Sequence, residues 1–88
     1  MRYTIPDTVL HRELPGEAVV LNLATAEYSQ LNHLGQVIWE LIRAGSDRNA
    51  IEATLVREYD APAERIRSDL TAFLNRMVEL KLLKAVEP

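Results

Sequence analysis

The spacing of apolar positions changes once along the chain. Between residues 9 and 31 they fall in short β-branched or leucine-rich runs, and after residue 33 they recur every three or four positions. A period near two belongs to strands and a period near 3.6 to helices. VLHREL (9–14), AVVLNL (18–23) and EYSQL (27–31) therefore read as three strands. PGE (15–17) has turn chemistry, because Pro presets φ and Gly accepts a positive φ. ATA (24–26) is a weaker turn that lacks the Asn-Gly of a tight hairpin. Two successive short connections make antiparallel neighbours, with 18–23, apolar on both faces, in the middle.

The stretch EYSQLNHLGQVIWELI (27–42) holds the changeover, with Asn32 at the join as a helix N-cap. Leu34, Val37, Ile38, Leu41 and Ile42 form one helical stripe, with Trp39 beside it. Gly45 stops this helix, and Ser46 is the expected cap of the next. The second helix, 47–59, places Ala50, Ile51, Leu55 and Tyr59 on one side. Pro62 fits the first position of a third helix that runs to Leu80, with the stripe Ile66, Leu70, Phe73, Leu74, Met77 and Leu80. Residues 1–8 read as a loosely held arm or short edge piece, and 82–86 as a final extended piece. Three strands followed by three helices indicate an α+β fold, winged-helix-like in its helical half.

Composition narrows the function classes. Eighty-eight residues, 48% hydrophobic, build one core, so a single domain spanning 1–88 is expected. No apolar run approaches the roughly 20 residues of a membrane span, and MRYTIPDTV lacks a signal-peptide core, so a cytoplasmic protein without a membrane partner is expected. The chain has no cysteine, which removes disulfides, thiolate metal sites and cysteine nucleophiles. Net charge is −3 with interspersed signs, whereas nucleic-acid binders carry a basic excess. Arg65, Arg67, Arg76 and Lys81 of the third helix are offset by Glu64, Asp69 and Glu79, so a DNA-binding winged helix is the weaker alternative and no nucleic-acid partner is expected.

Candidate chemistry is sparse. His11 and His33 have no partner at metal-ligand spacing. Ser29, Ser46 and Ser68 lack any triad context, and no glycine-rich phosphate loop occurs. The carboxylates are scattered along helices as a solvated face would be. A non-catalytic protein without metal or cofactor is expected. What stands out is 27–31, a sheet edge with no Pro or Lys to blunt it and one charge, Glu27. An unprotected edge beside an amphipathic helix suits β-strand addition of a peptide. Pairing with 82–86, or dimerisation, would occupy the same edge.

The ordered pattern VLNLATAEYSQLNHLGQVIWELIRAGSDRNAIEATLVREYDAP, then IRSDLTAFLNRMVELKLL, resembles the PqqD-like family, also called RiPP recognition elements. The positions that carry the resemblance include Tyr28, Leu31, Asn32, Gly35, Ile38, Trp39, Gly45, Tyr59, Asp60, Asp69, Phe73, Leu82 and Leu83. Lys81 departs from it, standing where the family often has Gly before the terminal Leu pair. The resemblance implies a domain that binds the leader of a ribosomal precursor peptide as an added antiparallel strand, in a cleft against the third helix. It is similar above all to the freestanding proteins of lasso-peptide pathways. Such a protein hands the precursor to a separate transglutaminase-like cysteine protease before an ATP-dependent cyclase closes the ring. The alternative within the family is a PqqD-type chaperone that presents a precursor to a radical SAM enzyme.

On the edge strand Glu27, Ser29 and Leu31 share one face, and Tyr28 and Gln30 the other. Leu31 is expected to point to the core, leaving Tyr28 on the open face or at the rim. Arg67, Leu70, Thr71 and Leu74 fall on one helical stripe and are expected to line the cleft. Leu70 and Leu74 would receive apolar leader side chains, and Arg67 would pair with a leader acid. The alternatives are ordinary core packing for the two leucines and a solvated charge for Arg67, while Ile66, Phe73, Met77 and Leu80 read as core.

Overall fold

In the computed structural model, which describes residues 1–86, the three expected strands are β2 (Val9–Leu14), β3 (Glu17–Asn22) and β4 (Tyr28–Leu31). The last two residues of the expected 1–88 domain lie outside the described residues. The strands form an antiparallel sheet in the order β2-β3-β4. Leu14 pairs with Glu17 across a two-residue turn in which Gly16 takes φ 80°, and Val20 pairs with Ser29. The β3–β4 loop closes without Asn-Gly: Ala26 takes φ 65°, and the Ala24 N–H donates to Asn22 Oδ1 at 2.9 Å.

Helix α1 (His33–Arg43) starts where expected, the Gly35 N–H donating to Asn32 Oδ1 at 2.8 Å. Gly45, at φ 96°, ends it. Helix α2 (Arg48–Glu58) is capped by Asp47, whose carboxylate accepts from the Ala50 N–H, and not by Ser46. A carboxylate also complements the helix dipole there. Pro62 is the N-cap of α3 (Ala63–Glu79), one position earlier than expected.

Residues 2–4 and 84–86 form a second, two-stranded sheet, β1 (Arg2–Thr4) with β5 (Lys84–Val86). The Arg48 N–H donates to the Met1 carbonyl and Tyr3 is buried, so the N-terminal segment is tied to the body. Because β5 pairs with β1, the final extended piece does not cover β4.

The core lies between one face of the three-stranded sheet and the helices. Ala18, Val20 and Leu31 meet Ile38, Trp39 and Ile42 of α1, Ile51 and Leu55 of α2, and Leu70, Leu74 and Met77 of α3. Trp39 is fully buried where the sequence places it beside the stripe, and Ala50 is exposed where the sequence places it inside. Three strands and three helices make this an α+β fold, as expected.

Candidate functional site

One backbone hydrogen bond fixes what the β4 edge offers. The Asn22 N–H donates to the Glu27 carbonyl at 2.8 Å, so this pair is a hydrogen-bonded one. Antiparallel pairs alternate between bonded and non-bonded. Stepping along the register, Val20–Ser29 and Ala18–Leu31 are bonded pairs, and Leu21–Tyr28 and Val19–Gln30 are not. Ser29 and Leu31 therefore spend their backbone groups on β3. Tyr28 and Gln30 point theirs away from it, over the outer edge. Among the described residues no strand pairs with that edge. Two N–H and two C=O groups face an added strand, although the Gln30 C=O already accepts from Ser29 Oγ at 3.2 Å and has one lone pair left to offer.

An open cleft of about 760 Å³ runs beside the edge. Leu31 and Met77 are buried at its base, Phe73 is half-buried on its α3 wall, and Arg76 stands exposed at its mouth. Gly35 lets α3 approach α1: a Cβ there would lie 3.1 Å from Phe73 Cε1. Across the mouth, Gln30 Nε2 donates to Glu17 Oε2 at 2.6 Å. Arg76 has no carboxylate within 4.0 Å among the described residues, whereas Arg43 pairs with Glu40 and Arg67 with Glu52. The cleft thus joins an apolar floor to one unpaired cation.

The strand residues sit as their alternation requires. Ser29 and Leu31 are buried, Tyr28 is 68% exposed on the outer face with Gln30, and Glu27 lies just before β4, half-buried. The α3 residues sit differently. Leu70 and Leu74 are wholly buried in the core and do not line the cleft beside β4. Arg67 and Thr71 face α2: Arg67 Nε donates to Glu52 at 3.2 Å, and Arg48 donates to Thr71 Oγ1. The cleft wall is instead Phe73, Arg76 and Met77, on the other side of the buried stripe. Both stripes are legible at i, i+3 and i+4. Which one meets β4 depends on where α2 packs, and that is not a property of α3's own sequence.

Elsewhere, His11, Glu13 and Glu40 bring ligand atoms within 4.8 Å of one another. Both carboxylates are exposed, and the His11 ring leans on Trp39 with centroids 6.2 Å apart. This is the geometry of a half-covered histidine flanked by solvated acids.

The family model described as coenzyme PQQ synthesis protein D (PqqD) matches residues 17–83. The chain belongs to the PqqD family. The matched span runs from β3 to the turn after α3, and so takes in the edge and both walls of the cleft. TbiB1, solved in complex with the TbiA(beta) leader peptide, is 28% identical, with 100% of each chain covered and a TM-score of 0.85. Lasso peptide synthetase B1, solved with its leader peptide, is 18% identical over 97% of this chain and 100% of that one, with a TM-score of 0.86. At that identity it speaks for the PqqD-like fold alone. No curated protein matches the chain.

Proposed function

We propose that the chain is a non-catalytic adaptor that captures the leader of a ribosomal precursor peptide by strand addition to β4. It then delivers the precursor to a leader peptidase in lasso-peptide biosynthesis. The observation that carries this is the outward-facing backbone of Tyr28 and Gln30 beside the cleft. The 28% identical relative, solved with a leader peptide, supports the same use.

The added strand runs antiparallel to β4 and makes main-chain bonds to Tyr28 and Gln30. Its side chains alternate. Those on the inner side enter the cleft against Leu31, Phe73 and Met77, and an acidic one reaches Arg76. A contact of this size, held by few anchors, fits a Kd between micromolar and nanomolar, about −8 to −12 kcal/mol. The binding unit is the whole 1–88 chain acting in the cytoplasm; among the described residues no helix is long and apolar enough to cross a membrane.

The second reading is presentation of a precursor to a radical SAM enzyme, favoured by the description of the matching family model. The two differ in their neighbours. A short precursor frame beside a transglutaminase-like peptidase and an asparagine-synthetase-like cyclase marks the lasso pathway, and a radical SAM gene marks the other. The adaptor reading itself is tested by titrating the protein with a synthetic leader of the neighbouring precursor. Saturable binding in the stated range is expected; no binding at high micromolar leader removes the reading.

A further inference from the structure

The solvent side of a three-stranded antiparallel sheet is ordinarily polar. Here it is not. Leu10 and Leu14 from β2, Val19 and Leu21 from β3, and Tyr28 from β4 all project to the face away from the helices. Leu10, Leu14 and Tyr28 are 37%, 50% and 68% exposed. Arg12, Glu17 and Gln30 are the polar residues among them, and Gln30 and Glu17 bond to each other. The register aligns three of the apolar residues: Leu10 pairs with Leu21, and Leu21 with Tyr28. They form a row straight across the sheet. The row ends on Tyr28, whose backbone groups point to the vacant edge.

Resting on the adaptor reading, we propose that this outer face docks the enzyme that acts on the captured peptide, through an apolar surface of that enzyme. A peptide strand added to β4 extends the row by one side chain, next to Tyr28. An enzyme seated on the row therefore touches adaptor and peptide together. Size points the same way. Three strands of about six residues span about 14 Å by 20 Å, roughly 300 Å². A stable interface needs about 800 Å² per partner, so two copies of the chain packed face to face fall well short. A small apolar patch that grows when the peptide is bound suits a transient partner that prefers the loaded adaptor.

The test uses Leu10→Arg and Leu14→Arg, both at exposed β2 positions that do not themselves line the cleft, with Leu10→Thr as a milder strand-compatible variant. Circular dichroism and urea midpoints establish that each folds. Leader affinity is measured first, by titration without enzyme; cleavage of the precursor by the neighbouring peptidase is measured next, at limiting adaptor. Leader affinity is expected to stay at the unaltered value while cleavage falls about tenfold or more in the Arg variants and less in Leu10→Thr. Unchanged cleavage with intact leader binding overturns the docking face alone. Leader affinity that falls in step with cleavage means the peptide itself covers the face, and overturns it too. A dimer in sedimentation that the Arg variants dissociate names a second copy as the occupant, and likewise overturns the enzyme-docking role. Failure of the unaltered protein to bind leader, seen in the enzyme-free titration, removes the adaptor reading and this face's role with it.

Discussion

The Asn22 carboxamide donates to the Lys81 carbonyl at 2.7 Å, joining residues 59 apart in sequence. Its Oδ1 accepts from the Ala24 N–H, so one buried side chain closes the β3–β4 loop and also holds the turn after α3. Those two segments carry the two walls of the cleft. Replacing Asn22 by Ala removes both bonds and takes from the Lys81 carbonyl its carboxamide donor. Each loss costs about 1 kcal/mol or more, so Asn22→Ala is expected to destabilise by about 2–3 kcal/mol in urea unfolding. Leader affinity should weaken with it, since the cleft walls lose their tie.

Lys81 itself has φ 58°, a left-handed conformation that a residue with a Cβ adopts at a cost. The family often has Gly at this position, and the turn is made tight here without one. Its carbonyl is already fixed by Asn22, so nothing about the bond requires the lysine side chain, which is exposed. Lys81→Gly is expected to stabilise the protein by about 1 kcal/mol, read as a higher urea midpoint at unchanged slope. No gain, or a loss, would show that the lysine stem packs usefully on the surface.

How far residues spoke for themselves varied with distance. The three central strands, the Asn32 cap and the Gly45 stop follow from local chemistry and stand as expected. The Asp47 cap was missed because Ser46 and Asp47 are both good caps, and only helix geometry chooses between them. The β1–β5 pairing joins the two ends of the chain, and nothing in three-residue segments announces a partner eighty positions away. At the site, the edge was legible from its lack of gatekeeper residues. The cleft wall was not. Leu70 and Leu74 read as accessible only until α2 is packed over Arg67 and Thr71, after which Phe73 and Arg76 are left facing β4.

Gly35 bears on that wall. A Cβ added there meets the edge of the Phe73 ring at 3.1 Å and Asn32 Oδ1 at 3.3 Å. The ring is the far end of a side chain open to the cleft, so it can swing, and it swings into the space a peptide would use. Gly35→Ala gains about 1 kcal/mol of helix propensity, which offsets the crowding. Stability should therefore change little while leader affinity falls. A drop in stability without a change in leader Kd would show that Phe73 does not line the bound state.

The two arginines of α3 separate the observed cleft from the expected one. Arg76 is unpaired among the described residues and stands at the cleft mouth; Arg67 is held by Glu52 on the far side. Arg76→Glu is expected to weaken leader binding about tenfold or more at low salt and to flatten its salt dependence. Arg67→Glu should leave leader binding alone and cost at most about 1 kcal/mol of stability, as exposed ion pairs do. The reverse outcome would return the peptide to the Arg67 face.

Proline placed at adjacent positions of β4 tests the direction of its backbone groups. Ser29 exchanges bonds with Val20, so Ser29→Pro removes a donor from inside the sheet and is expected to disrupt the β3–β4 pairing, with loss of the folding transition. The Gln30 N–H points over the vacant edge, where proline is tolerated because no ladder bond is lost within the domain. Gln30→Pro also gives up the side-chain bond to half-buried Glu17, a solvent-exposed bond whose loss is small. It should therefore fold, with a near-native circular dichroism spectrum. A peptide strand would then find one donor missing and the proline ring in its path, so leader affinity is expected to fall about tenfold or more. Binding that survives in a folded Gln30→Pro protein would mean that the peptide does not pair with β4. The cleft would then hold it through side chains alone.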